Sequence, residues 1–124
     1  MKMDQKAFEQ LVVEAVEGLP EDFRQKLENI DIVVEDEPTP EHKKAAGTRG
    51  RDLLMGLYQG VPLSKRTHFY GNVLPDKITI FRNNIERVCR TDGEMKETVR
   101  RTVIHEFAHY FGISDEHMRK SGTY

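Results

Sequence analysis

The sequence predicts a mixed α+β domain, and three observations predict it. Apolar residues recur at helical spacing at both ends of the chain, short β-branched runs lie between them, and 124 residues make one domain at roughly 100–200 residues each. Hydrophobic residues make up 37% of the chain and charged residues 32%, with six Phe and four Tyr. That balance supplies a modest core under a large polar surface.

At the amino end, Phe8, Leu11, Val12, Ala15, Val16 and Leu19 fall on one helical stripe, with Asp4 placed to cap it and Gly18-Pro20 placed to end it. Pro20 then opens a second short helix whose Phe23 and Leu27, followed by Ile30, face the same core. Ile30 to Val34 is β-branched and is stopped by Glu35-Asp36-Glu37-Pro38, which reads as a strand. Residues 35–51 hold two prolines, two glycines and a dense run of charge, and are expected to form a mobile loop. Leu53 to Tyr58 reads as a second strand in which Gly56 marks a bulge or a close backbone approach. Lys77 to Phe81 alternates as a third, and Ile85 to Cys89 forms a helical turn. Asp92 is then expected to cap a long helix that runs to Phe111 and stops at Gly112, and Ser114 to cap a last short one.

The charge balance excludes some functions. Nineteen Lys and Arg stand against 21 Asp and Glu, net -2, which lacks the one-sided positive field that tracks a phosphate backbone. No nucleic-acid partner is expected. The single cysteine, Cys89, forms no intrachain disulfide and is expected to be a small buried hydrophobe. Asp4, Glu9 and Glu14 interrupt any apolar leader, and no run is long enough for a membrane span. A cytoplasmic monomer with no membrane contact is the expectation.

The chemistry concentrates in His105-Glu106-Phe107-Ala108-His109-Tyr110-Phe111-Gly112-Ile113-Ser114-Asp115. Histidines four apart on a helix project about 40° from one another and can close on one metal ion. Glu106, about 100° round from His105, stays outside the ligand set but within reach of water at the metal. Val99, Val103, Ile104, Phe107 and Phe111 cluster on the side opposite the histidines, so the apolar face packs while the His face looks into a cleft. Gly112 can end the helix in a left-handed conformation and reverse the chain, which returns Asp115 to the metal as third ligand. Glu116 and His117 are rivals for that place. Two imidazoles and one carboxylate leave a fourth position open, the arrangement of a catalytic zinc site. His-Glu-Xaa-Xaa-His arises roughly twice in a hundred shuffled chains of this composition, and adding the Gly and Asp lowers that to roughly one in ten thousand.

The segment resembles the zincins, and the metzincin motif with Asp115 standing where a third histidine would be. It is more similar still to a family of small bacterial zincin-like metallopeptidases, the minimal zincins, whose motif ends in that aspartate. Ile32-Val33-Val34-Glu35-Asp36, residues 54–63 and Ile78-Thr79-Ile80-Phe81-Arg82 also resemble that family. The resemblance implies a minimal zincin-like fold: N-terminal helices, a sheet of about three or more strands, a long active-site helix and a short C-terminal helix. It implies Zn2+ held by His105, His109 and Asp115, with Glu106 as general base.

The expected function is therefore a zinc-dependent metallopeptidase acting on a peptide or protein substrate. An extended peptide would lie antiparallel to a free strand edge, with Ile78 to Phe81 one candidate. The alternative is a zinc-stabilised binding module that catalyses nothing. The plain reading of Glu106 is a surface carboxylate paired with Tyr110. His68 is a candidate oxyanion donor, as are the hydroxyls of Tyr70 and Tyr110. His42 is expected to have no specific role, and Arg100-Arg101 to form a solvated face.

Overall fold

The computed structural model describes residues 3–47, 53–60 and 76–111, the last three of these in backbone only. Among them are five helices and three strands. In chain order these are α1 (Gln5–Glu17), α2 (Glu21–Leu27), β1 (Asp31–Glu35), α3 (Pro40–Ala46), β2 (Gly56–Gln59), β3 (Lys77–Phe81), α4 (Arg82–Val88) and α5 (Asp92–Phe111). The architecture is α+β, as the patterning predicts. No described helix is long and apolar enough to cross a membrane.

α1 follows its stripe. Asp4 accepts the N–H of Ala7 at 2.8 Å, which satisfies one of the free donors of the first turn. Phe8, Leu11, Val12 and Ala15 are buried, and Val16 packs at their margin. α2 starts one residue after Pro20, and its Phe23 ring meets Phe107 of α5 edge-on at 4.6 Å between centroids.

The sheet order is β1-β3-β2, with β3 parallel to β1 and antiparallel to β2. β3 is therefore central, which corrects the expectation that Ile78 to Phe81 offers a free edge. β3 is also covered on both faces, since Ile78, Thr79, Ile80 and Phe81 are all buried. One face joins the main core with α1 and α5; on the other Phe81 packs with Leu54 and Leu57. Among the described side chains of α5, Met95, Val99, Val103, Ile104, Glu106, Phe107 and Ala108 are buried. Burying each large apolar one is worth about 1.5–3 kcal/mol.

The structure departs from the expected loop at 35–51, because α3 forms within it. Thr39 and His42 close a reciprocal cap: the Thr39 hydroxyl accepts the His42 N–H at 3.1 Å, and His42 Nδ1 accepts the Thr39 N–H at 3.0 Å. The His42 ring is buried edge-on against Phe81, 5.0 Å between centroids, with Nε2 3.6 Å from Glu35 Oε2. A residue expected to have no role thus anchors α3 to the sheet. Charge counting misses this, since one imidazole supplies both the cap and the apolar contact.

A second correction concerns the start of α5. Asp92 lies inside the first turn, and Thr91 does the capping: its hydroxyl accepts the Glu94 N–H at 3.0 Å, while Glu94 reaches back to the N–H of Arg90 at 3.1 Å. α4 begins directly after β3, earlier than the helical turn expected from Ile85. Cys89 is buried as expected, with Sγ 3.3 Å from the Thr98 hydroxyl. Arg100 and Arg101 both bind Glu97, and Arg100 is half-buried rather than fully solvated.

Candidate active site

The site is built where α5 lies along β2. Gly56, the first residue of β2, meets the helix at Thr102: a Cβ there would overlap the Thr102 Cγ2 methyl and sit 3.2 Å from the Thr79 carbonyl oxygen. The glycine read as a bulge or close approach is a close approach. One helical turn further, Glu106 Oε1 accepts the backbone N–H of Tyr58 at 2.5 Å. Four helical residues rise about 6 Å and two strand residues about 6.8 Å, so both contacts are met together when helix and strand run side by side.

The strand register explains why the Tyr58 N–H is available to Glu106. Phe81 donates to the Met55 carbonyl at 2.9 Å, so residues 55, 57 and 59 exchange main-chain bonds with β3. Gly56 and Tyr58 turn theirs outward, toward the edge. A carboxylate seated there neutralises an edge donor and is itself held by a charge-assisted bond.

Glu106 is 3% exposed, so the reading of a surface carboxylate paired with Tyr110 is corrected. A charged group that deep needs hydrogen-bond partners, and the β2 backbone supplies one. Its neighbour His105 is half-buried, while Ile104 on the other side is fully buried. His105 thus borders the core without entering it, on the side of α5 away from Val103 and Phe107. The helix continues through His109, which fixes the four-residue spacing of the two histidines on one continuous backbone.

The side chains of His109 and Tyr110 lie outside the described residues, as do Gly112, Ser114, Asp115, Glu116, His117, His68 and Tyr70. Among the described residues no group of three His, Cys, Asp or Glu is positioned to hold a metal ion. A half-buried imidazole beside a buried, backbone-held carboxylate suits a metal with an activating base next to it, and imidazole is a ligand zinc accepts.

Sequence reasoning missed Tyr58 as Glu106's partner. The group involved is a main-chain N–H, which every residue but proline carries, so no residue pattern could have marked it.

The profile of the zincin-like metallopeptidase family matches residues 27–123, and the chain belongs to that family. Among solved structures the chain is similar to a conserved hypothetical protein from Thermus thermophilus. The two are 26% identical with a TM-score of 0.54, over 86% of this chain and 92% of that one. No curated protein matches.

Proposed function

We propose that this chain is a zinc-dependent peptidase in which His105, His109 and Asp115 hold the metal and Glu106 is the general base. The observation that carries the reading is the buried carboxylate of Glu106, fixed by the Tyr58 N–H beside a half-buried His105. Zinc bound there would supply Lewis acidity, polarising a scissile carbonyl and lowering the pKa of water toward neutrality.

Glu106 accepts the proton of the attacking water and passes it to the leaving amine, so the carboxylate is regenerated each cycle. Its hydrogen bond to β2 fixes the rotamer, which holds the base at a set place relative to the strand. Low solvent exposure keeps bulk water from competing for that proton. An extended peptide substrate lies along the outer side of β2, next to the carboxylate of Glu106.

The test is Glu106→Ala, measured for zinc content and for cleavage of a quenched fluorescent peptide library. Zinc stays at about one equivalent, since the base is not a ligand, while turnover drops by about 10²–10⁴-fold. Retained turnover overturns the mechanism. A wild-type protein that holds zinc and cleaves nothing supports the binding module instead. Asp115→Ala weakens zinc binding; unchanged affinity assigns the third ligand to Glu116 or His117.

A further inference from the structure

We propose that the outer edge of β1, on the opposite side of the sheet from Glu106, is a docking site for an extended, basic-flanked segment of a partner protein, which adds as a fourth strand. Asp31 donates its N–H to the Asp76 carbonyl at 3.0 Å. In a parallel pair this sets residues 31, 33 and 35 toward β3 and turns the N–H and C=O of Ile32 and Val34 outward. Among the described residues no strand pairs with that edge.

The edge does not end in solvent alone. Helix α1 overhangs it, and together they line a groove of about 530 Å³ formed by Val12, Val13, Val16, Ile32, Val33 and Val34, with Glu9 and Glu17 at its rim. Val13 is 45% exposed, unusual for a β-branched aliphatic on a helix whose other valines pack. A strand added to β1 would place alternate side chains under Val13 and Val16 while its main chain met Ile32 and Val34.

Charge selects the occupant. The strand reads Asp-Ile-Val-Val-Glu, so a second copy paired antiparallel about Val33 sets Asp31 against Glu35, and a parallel in-register copy sets each acid against itself. Like charges directly opposite one another destabilise a pair. Glu9 and Glu17 add to the same sign. Self-association in these registers is thus disfavoured, and the edge is complementary to a segment of alternating apolar residues with Lys or Arg at its ends.

The probe is a capped peptide of about seven residues, alternating valine and threonine with a lysine at each end, a common strand length. Its counterpart carries aspartate at the ends. Amide exchange and chemical shifts are followed by NMR on the full chain. Ile32 and Val34 amides exchange rapidly in the free protein, and the basic peptide protects them and shifts residues 31–35. The acidic peptide binds at least about tenfold more weakly, and added salt narrows the difference.

Val34→Pro removes an outward N–H without touching a β1–β3 bond and abolishes protection at Ile32. If that variant does not fold, Glu9→Lys with Glu17→Lys serves in its place, and reverses the preference between the two peptides. Ile32 and Val34 amides already protected in the free protein overturn the proposal. A monomeric mass then assigns the edge to a segment of this chain, and a dimeric mass to a second copy. Equal binding of both peptides, or shifts confined to β2, overturns it as well.

Discussion

Gly56 and Thr102 show how one residue pair sets the distance between a helix and a strand. Because the absent Cβ of Gly56 makes room for the Thr102 methyl, Gly56→Ala forces the helix outward and is expected to cost about 1–3 kcal/mol as an overpacked contact. Thr102→Ser deletes the clashing methyl and keeps the hydroxyl that donates to the Thr98 carbonyl at 2.8 Å. The double variant should therefore recover most of the loss, measured as urea midpoints in a double-mutant cycle. Additive losses would show that the Thr79 carbonyl, not Thr102, limits the approach. The same displacement separates Glu106 from Tyr58, so in Gly56→Ala any peptidase activity falls further than stability alone explains.

Capping decides whether α3 exists as an element. It has seven residues, too few to persist alone in water, and it is held by the Thr39–His42 pair and the His42 ring on Phe81. Thr39→Ala removes the hydroxyl acceptor and is expected to cost about 1 kcal/mol, with amide exchange accelerated across residues 40–46. Exchange unchanged there would mean that the ring contact alone holds the helix. α4 is tied differently: Asn84 donates to the Leu54 carbonyl at 2.6 Å, and Arg82 binds Asp36 at 2.9 Å and the Met3 carbonyl at 3.2 Å. Glu86, in turn, accepts the Met3 N–H at 2.7 Å, so this short helix gathers the chain start, the end of β1 and the entry to β2.

Across the molecule, three carboxylates respond to acid together. Lys96 hydrogen-bonds Glu14 and lowers its pKa; Asn83, then Arg87, does so for Glu37; Arg100, then Arg101, for Glu97. Each binds protons less readily folded than unfolded, so the stability they contribute is complete above the ordinary glutamate value of 4.5. It is lost as pH falls below 4.5 through the depressed folded values. Melting temperature should therefore decline on that acid limb, and Glu14→Gln with Glu97→Gln should flatten it; an unchanged slope would assign the acid sensitivity to other groups. These pairs lie at the surface, with Arg100 half-buried, so the effect is modest and shrinks with salt. Phe107→Ala, by contrast, empties the centre of the core against Phe23 and is expected to cost about 3–5 kcal/mol at any pH. The sequence by itself determined the elements with strong periodicity, α1 and α5, the β-branched strands β1 and β3, and the His105-Glu106-His109 spacing, because these depend only on which residues share a face; β2, Gly-Leu-Tyr-Gln, has no β-branched residue and starts at Gly56 rather than Leu53. Tertiary structure alone decided that β3 is central, that Glu106 is buried on a β2 amide, and that the charged stretch after β1 holds a helix. Strand order, main-chain donors and a ring packed across the sheet are contacts between distant parts of the chain, and local pattern carries no record of them.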